Sequence, residues 1–371
     1  MSASVDDLRL TPLHELHLEF GAKLVPFAGY AMPLQFRHGI LHEHLHTRAA
    51  ASLFDVSHMG QITIKGPPAA LEALVPSDIA ALGLWRTRYS VLTNDTGGIL
   101  DDLMITRRPE GLLVVVNAAF KDQDYAYLRT RLGLSCEVIL HLDRALLALQ
   151  GPLAASVLGA LNPAVRALSF MSAGEFDLAG IFCFVSRSGY TGEDGFEIAL
   201  PAAAASDFAR ALLRNTTVAP AGLGARDSLR LEAGLCLAGT DIDATTTPIE
   251  ADLCWVVAKK YRAPAAAIAC FPGAARILAQ LAGTARIRVG VRPHGRIPFR
   301  GGVILRSQDG HEVGSITSGS FGPSINAPIA MGYVERGSAG SGTLLSVSIR
   351  DREHTGEVVP LPFVPHRYHR T

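Results

Sequence analysis

Short apolar runs alternate along the chain with stretches in which apolar positions recur every three or four residues. The runs are rich in β-branched and aliphatic residues and are bounded by Gly, Pro or Asp, which is typical of strands. The longer spacing is typical of amphipathic helices. The pattern predicts an α+β fold rather than a regular βαβ array. Predicted strands include residues 61–65, 112–116, 145–149, 181–186 and 196–200, and predicted helices 67–74, 121–132, 152–161 and 204–214.

The last quarter of the chain contains strand patterns without intervening helices, which predicts a small antiparallel barrel. An Ala-, Pro- and Gly-rich stretch at 261–273 is predicted to connect this barrel to the rest. We therefore expect one region at residues 1–270 and a C-terminal β-barrel domain at 283–371. The barrel strands are predicted at 286–291, 302–306, 312–317, 329–334 and 344–349.

Charge and hydropathy narrow the range of partners. The 371 residues include 34 Lys plus Arg and 34 Asp plus Glu, so the chain has no net field with which to hold a polyanion. Hydrophobic residues make up 48% of the chain, which favours a compact core, but the apolar runs are too short to cross a bilayer. We expect neither nucleic acid nor membrane as a partner.

The five cysteines have no Cys-x-x-Cys spacing, which argues against zinc ribbons, iron-sulfur sites and a secreted disulfide framework. The first 18 residues contain Asp6, Asp7 and Glu15 and resemble neither a secretory signal nor a transit peptide. These two observations together predict a reduced, cytoplasmic protein.

Two groups of residues suggest chemistry that their spacing disfavours. Asp55, Ser57 and His58 are the residue types of a hydrolase triad, but near-consecutive residues on a strand point to alternating faces and do not converge. The alternating His42, His44 and His46 would share one face of a strand, whereas on a helix only the first and last would meet. We expect no metal site there.

Three further residue groups have more informative surroundings. Asp101 and Asp102 follow a double-glycine turn and precede a short predicted strand that begins at Leu103. Either both cap the turn, or one caps it while the other faces whatever the strand lines. Glu197 lies within an apolar strand, where a carboxylate requires a partner. Arg226 stands at the start of a predicted helix. Glu197 has two interpretations: it binds an aminopyrimidine edge, or it forms a structural ion pair with Arg226.

In combination these segments resemble the glycine cleavage T-protein family over almost the full chain. The resemblance is carried in order by FAGYAMP (27–33), FDVSHMG (54–60), YSVL (89–92), GGILDD (97–102), GYTGEDG (189–195), GARDSLRLE (224–232) and AMGYV (330–334). It implies a three-lobed folate-binding aminomethyltransferase fold, with two intertwined lobes before the C-terminal antiparallel β-barrel. It also implies tetrahydrofolate as one-carbon acceptor, a lipoylated H-protein as partner, and no metal.

The resemblance also implies roles for individual residues. Asp102 occupies the position of the essential carboxylate, with Asp101 as the adjacent alternative. Glu197 and Arg226 are expected to address the pterin. The residues expected to line the folate site are Tyr89, Asn117, Tyr190 and Tyr368.

Related folate-binding proteins offer competing functions. The folate domains of dimethylglycine- and sarcosine-oxidising enzymes belong to longer chains with a flavin domain, and iron-sulfur assembly factors carry a cysteine motif that this sequence lacks. Sulfonium demethylases are harder to distinguish from an aminomethyltransferase by these sequence features. The expected activity remains transfer of a one-carbon unit from aminomethyl-dihydrolipoyl H-protein to tetrahydrofolate.

Overall fold

The computed structural model describes residues 8–262 and 270–370 and confirms the α+β class. Residues 263–269 of the predicted connecting stretch lie outside the described residues. The helices are α1 His14–Glu19, α2 Gly39–Ala49, α3 Pro68–Glu72, α4 Lys121–Leu132, α5 Ala154–Leu161, α6 Ala205–Leu213, α7 Leu223–Glu232 and α8 Ala274–Ala279. The strands before the barrel are β1 Lys23–Phe27, β2 Tyr30–Gln35, β3 Ala51–Asp55, β4 Gly60–Lys65, β5 Thr87–Thr93, β6 Ile99–Arg108, β7 Gly111–Val116, β8 Glu137–His141, β9 Arg144–Gln150, β10 Ala173–Leu178, β11 Ile181–Ser186, β12 Gly195–Pro201 and β13 Val218–Pro220.

Two sheets form the lobes that precede the barrel. The first has six strands in the order β10-β11-β12-β9-β3-β13, and the second has five in the order β5-β6-β7-β4-β8. Their chain segments interleave: β3 pairs with β9 in the first sheet, while β4 to β8 lie between them in sequence and form the second sheet. Each sheet buries an apolar face, and α5 and α6 pack on the first while α4 packs on the second.

The C-terminal strands close into a six-stranded antiparallel barrel, as predicted. The sixth strand, β19, was not among the predicted ones because its outward positions are polar and only two of its residues are buried. The division of the chain at residues 270 and 283 stays a prediction. The barrel order is β14-β17-β16-β15-β18-β19, formed by β14 Arg286–Pro293, β15 Ile304–Arg306, β16 Glu312–Gly322, β17 Ala327–Glu335, β18 Leu344–Ile349 and β19 Arg352–Val359.

Helix α7 joins the barrel to the other lobes through buried charges. The guanidinium of Arg230 donates to the Asp241 carboxylate at 2.5 Å and to the Ser318 hydroxyl at 2.9 Å. Two residues further along α7, Glu232 accepts hydrogen bonds from the backbone N–H and the hydroxyl of Ser324, in the β16–β17 hairpin. Because a buried charge without a partner is costly, these pairs fix the relative positions of α7 and the barrel.

The described ranges 8–262 and 270–370 include no helix long and apolar enough to cross a bilayer.

Removing side-chain volume from the first sheet should destabilise the fold. Leu147 on β9 is fully buried in the core of the six-stranded sheet. We expect Leu147→Ala to lower the free energy of unfolding by about 2–5 kcal/mol because it removes apolar burial and leaves a cavity. Urea denaturation followed by circular dichroism measures this.

The matched control is Leu142→Ala, because Leu142 is 82% exposed. It should change the same quantity by no more than about 0.5 kcal/mol. Equal losses for the two variants would contradict the assignment of the core.

Candidate functional site

The five-stranded sheet brings three predicted site residues to one end. Tyr89 lies on β5, Asp102 on β6, and Asn117 directly after β7. These strands are neighbours, and Val91 of β5 lies opposite Asp102 in the antiparallel register. The pairing of adjacent strands therefore brings side chains that are well separated in sequence together at this end of the sheet.

The turn before β6 is fixed by side chains other than the predicted ones. Asn94 accepts hydrogen bonds from the backbone N–H groups of Thr96 and Gly98. A side chain at Gly98 would lie 1.8 Å from the carbonyl oxygen of Ala244, so only glycine fits. The prediction that Asp101 or Asp102 caps this turn is wrong, because Asn94 does so.

Asp101 and Asp102 are instead connected by Asn117. Its side-chain amide donates to Asp101 Oδ1 at 2.8 Å and to Asp102 Oδ1 at 2.6 Å. Its backbone N–H donates to Asp101 Oδ2 at 3.0 Å. Because successive residues of a strand point to opposite faces, Asp101 faces α4 while Asp102 faces the other predicted site residues.

The carboxyl group of Asp102 is strongly perturbed. Burial, and next the charge of Asp101, raise its pKa to about 7, against the opposing hydrogen bonds from Asn117 and Tyr89. Burial and the neighbouring Asp102 also raise the pKa of Tyr89, so that its hydroxyl remains a donor. Strong perturbation by burial and a specific partner is typical of functional carboxylates.

The six-stranded sheet and α7 supply the opposite side of the site. Tyr190 lies in the loop between β11 and β12, Glu197 on β12, and Arg226 in the first turn of α7. The guanidinium carbon of Arg226 lies 4.6 Å from the centroid of the Tyr190 ring. The Tyr190 hydroxyl donates to the carbonyl of Cys236. Asp102 interacts electrostatically with both Tyr190 and Arg226, so the two lobes face each other here.

Glu197 is held by a hydroxyl group rather than by a cation. The Ser188 hydroxyl donates to Glu197 Oε2 at 2.7 Å. Within the described residues, no ion pair joins Glu197 to Arg226, although the carboxylate acts on the guanidinium from a distance. The structural ion pair considered from the sequence is therefore not formed, and Glu197 Oε1 has no partner in the described part of the chain.

In the part of the chain that the structure describes, no hydrogen bond, ion pair or ring contact joins Tyr368 to the other six predicted site residues. Its ring stacks on Phe170 with centroids 4.0 Å apart, in a C-terminal tail whose Arg367 N–H donates to the Gly192 carbonyl. Burial raises the pKa of Tyr368 to about 12, and its charged neighbours include Arg48 and Glu193. The tail thus contacts the loop that carries Tyr190.

Sequence reasoning missed several residues around the site. Trp255 is 57% exposed and lies 5.2 Å from Tyr89, ring centroid to ring centroid. His58 is buried, its Nδ1 has no partner among the described residues, and burial lowers its pKa to about 4. Asp124 lies behind Asp101. One signal was available for Asp124: it occupies the buried face of α4, where Leu128 and Leu132 also lie.

Only Asp55 of the rejected triad lies on a strand, because β3 ends there, and the side chains of the three residues make contacts outside the group. Asp55 Oδ2 pairs with His17 Nε2 at 3.2 Å, and the Ser57 hydroxyl exchanges hydrogen bonds with the backbone of Leu146. His58 instead packs against Phe27.

The three histidines lie on helix α2, so only the first and the last are neighbours, as expected for a helix. His44 is buried between Ser228 and Glu232, while His42 stacks on His46 at 6.0 Å. The described residues contain no group of three or more His, Cys, Asp or Glu side chains arranged for a metal ion.

Comparisons with known proteins agree with this architecture. Residues 13–261 match the family described as GCVT N-terminal domain, and residues 286–365 match the Glycine cleavage T-protein C-terminal barrel domain. The human mitochondrial aminomethyltransferase is 44% identical over 383 residues, covering 100% of this chain and 93% of the relative. The probable mitochondrial aminomethyltransferase of Schizosaccharomyces pombe is 42% identical over 380 residues, covering 100% of this chain and 96% of the relative.

A solved structure extends the match to three dimensions. The glycine cleavage system aminomethyltransferase T from Bartonella henselae superposes with a TM-score of 0.92 at 47% identity, covering 98% of this chain and 100% of that one. The fold and these matches define an enzyme of the aminomethyltransferase class. The chain belongs to the glycine cleavage T-protein family, and its activity is that of a glycine cleavage system aminomethyltransferase.

The prediction of a cytoplasmic location is wrong. Curated relatives from human, Schizosaccharomyces pombe, Dictyostelium discoideum and Flaveria trinervia are named mitochondrial, which points to the mitochondrion instead. Scattered thiols such as Cys136, Cys183 and Cys236, which are free and buried, indicate a reducing compartment. They do not distinguish the cytoplasm from other reducing compartments.

The raised pKa of Asp102 should be visible in the stability of the protein without ligand. An unfolded Asp titrates near 3.9, whereas folded Asp102 titrates at about 7, so between these values the folded state binds the extra proton. Stability should therefore fall as pH rises through this window. Asp102→Asn does not undergo this loss of stability. The free energy of unfolding of Asp102→Asn, relative to that of the unmodified protein, should therefore rise by about 2 kcal/mol between pH 5 and pH 8.

Denaturation at the two pH values measures this double difference, with Asp309→Asn in an exposed turn as the control that shows none. If Asp102→Asn shows the same stability difference at both pH values, Asp102 has an ordinary pKa.

Proposed function

We propose that this chain transfers the one-carbon unit of aminomethyl-dihydrolipoyl H-protein to tetrahydrofolate. The products are 5,10-methylenetetrahydrofolate, ammonia and dihydrolipoyl H-protein. The observation that carries the proposal is the half-buried carboxyl of Asp102, held by Asn117 and Tyr89 and facing Arg226 and Tyr190 across the junction of the lobes. The family to which the chain belongs supports the identity of the donor and of the acceptor.

The atoms balance without an oxidant. The transferred carbon exchanges its bonds to the lipoyl sulfur and to the amine nitrogen for bonds to N5 and N10 of folate. The two hydrogens released from these folate nitrogens leave on the thiol and on ammonia. The reaction therefore needs groups that move protons and that stabilise positive charge at the carbon, and it needs a site from which water is excluded.

Asp102 is suited both to moving protons and to stabilising positive charge at the carbon. A carboxyl group with a pKa of about 7 can accept and return a proton at neutral pH without a large free-energy penalty. Its anion also stabilises positive charge that develops on the carbon, and the effect is larger in a buried site than in water. Asn117 fixes the direction of Asp102 because its amide donates to Asp102 Oδ1.

Glu197 is the group suited to the pterin. The 2-amino-4-oxopyrimidine edge of a pterin presents two parallel N–H donors, from the amino group and from N3, and a carboxylate can accept both. Ser188 holds Glu197 Oε2, while Oε1 has no partner in the described residues and is available to a ligand. Arg226 and the ring of Tyr190 then form an adjacent polar and aromatic surface. In this proposal Tyr89, Asn117 and Tyr368 complete the folate site.

Removing the charge of Asp102 should abolish most of the transfer. Asp102→Asn keeps the shape but loses proton transfer and charge, so kcat should fall on the order of 10²-fold or more. The measurement is methylenetetrahydrofolate formation from aminomethyl-loaded H-protein at saturating folate.

The control is Asp95→Asn, in the exposed turn before β6, which should retain full turnover. Undiminished turnover of Asp102→Asn would exclude Asp102 from the chemistry.

Neutralising Glu197 should weaken folate binding more than folding. An amide cannot accept two parallel hydrogen bonds, so Glu197→Gln should raise the Kd for tetrahydrofolate about 10-fold or more. Titration calorimetry measures the affinity, and thermal unfolding without ligand monitors the fold.

Glu335→Gln, at the exposed end of β17, is the matched control. If Glu197→Gln and the control bind folate equally well, Glu197 is not part of the folate site.

A further inference from the structure

Helix α4 places a carboxyl group against the back of the candidate site. The side of α4 that faces the five-stranded sheet carries Leu128 and Leu132, and Asp124 lies on the same side with 1% of its surface exposed. An ionised carboxylate at such a position is costly unless it is matched by a cation or by donors. In the described residues Asp124 Oδ2 has no hydrogen-bond donor.

The neighbour of Asp124 is a second carboxyl group. Asp101 is fully buried, and the two side chains are in hydrogen-bond contact. An ionised carboxylate can only accept hydrogen bonds, so contact between two carboxyl oxygens requires a proton between them. Two carboxylates confined in this way retain one proton for the pair, because both cannot ionise side by side.

The pair is connected to Asp102 through a single amide. Asp101 accepts from both the backbone N–H and the side-chain N–H of Asn117, at 3.0 and 2.8 Å. The second side-chain N–H of Asn117 is then left for Asp102 Oδ1, at 2.6 Å. A continuous set of hydrogen bonds therefore runs from Asp124 through Asp101 and Asn117 to Asp102.

We propose that Asp124 is a positioning residue that holds one proton against Asp101, so that the singly charged pair fixes Asn117 and, through it, the carboxyl group of Asp102. This inference deepens the proposed function and rests on it, because it concerns the carboxyl group assigned there to the transfer. Asp124 itself lies behind Asp101 and is not assigned any contact with substrate.

The charges around the pair are consistent with one shared proton. Burial, and then the neighbouring Asp101, raise the pKa of Asp124 to about 9, and burial also raises the pKa of Asp101. Asp102 thus faces one nearby negative charge rather than two. The other groups that act on Asp102 or are acted on by it are Asn117, Tyr89, Tyr190, Arg226 and Cys236.

The decisive experiment uses infrared spectroscopy of the full-length protein at pH 8, in the Asp102→Asn background so that Asp102 cannot contribute. The difference between this protein with and without Asp124→Asn should show one buried carboxylic-acid carbonyl band, lost in the double variant. Adding Asp122→Asn instead, on the exposed side of α4, should leave the band in place. Absence of the band before Asp124 is replaced would mean that Asp124 is ionised, and would overturn the proposal.

Turnover provides a second readout in the protein that retains Asp102. Asp124→Asn keeps a donor towards Asp101 and removes no charge, so it should leave the acidic limb of the kcat profile within about 0.3 pH units of its original position. Asp101→Asn removes the negative charge beside Asp102 and should move that limb to lower pH. A comparable downward shift for Asp124→Asn would contradict the shared proton.

A third variant separates positioning from mere packing. Asp124→Leu fills the space but cannot donate a hydrogen bond to Asp101, so kcat should fall at least 10-fold while KM for H-protein changes less than 3-fold. Asp124→Asn, which keeps a donor, should restore kcat. Equal turnover of the Leu and Asn variants would overturn the positioning role. If Asp124→Leu does not fold, the infrared result decides alone. The infrared result is independent of turnover, so it also stands apart from failure of the proposed function.

Discussion

The Asn117 amide is the contact on which the arrangement of the site depends. It donates to Asp101 and to Asp102 at the same time, and its backbone N–H donates to Asp101 as well. Two adjacent carboxyl groups in a buried sheet end repel each other and lose hydration, so without such donors they would be strongly destabilising. The strand directs one towards α4 and the other towards the junction of the lobes, and the shared amide donates to both.

The remaining architecture brings complementary groups to Asp102. The interleaved chain places the six-stranded sheet opposite the five-stranded one, so that Arg226 and Tyr190 face the carboxyl group. Buried hydrogen bonds between α7 and the barrel, from Arg230 to Ser318 and from Ser324 to Glu232, hold α7 in the position from which Arg226 projects. The barrel therefore supports the site although none of the predicted site residues lies on its strands.

Sequence patterns predicted the periodic parts of this structure well. The range 121–132 was predicted as a helix from its three-and-four spacing and is α4, and five of the six barrel strands were predicted from alternation and turn residues. The strand Arg352–Val359 was missed because its exposed side is polar, so its hydrophobic alternation is weak. A turn-capping role was expected of Asp101 or Asp102, whereas Asn94, four residues before Gly98, accepts hydrogen bonds from the backbone N–H groups of the turn.

Local sequence patterns could not predict which distant residues come together in the site. The contact between Asp102 and Asn117 joins residues on neighbouring strands, and the approach of Arg226 joins different lobes. Family resemblance supplied these residues before any geometry was known. Asp124 was not supplied, because one carboxylate on the buried side of a helix has no motif, and its role depends on the neighbouring Asp101.

The most direct test of the central claim is the release of ammonia and methylenetetrahydrofolate from aminomethyl-loaded H-protein, measured with and without tetrahydrofolate. The account predicts that both products form together, in equal amounts, and that their formation depends on tetrahydrofolate. Tight binding of tetrahydrofolate without release of either product would contradict the proposed reaction and would direct the search to another one-carbon donor.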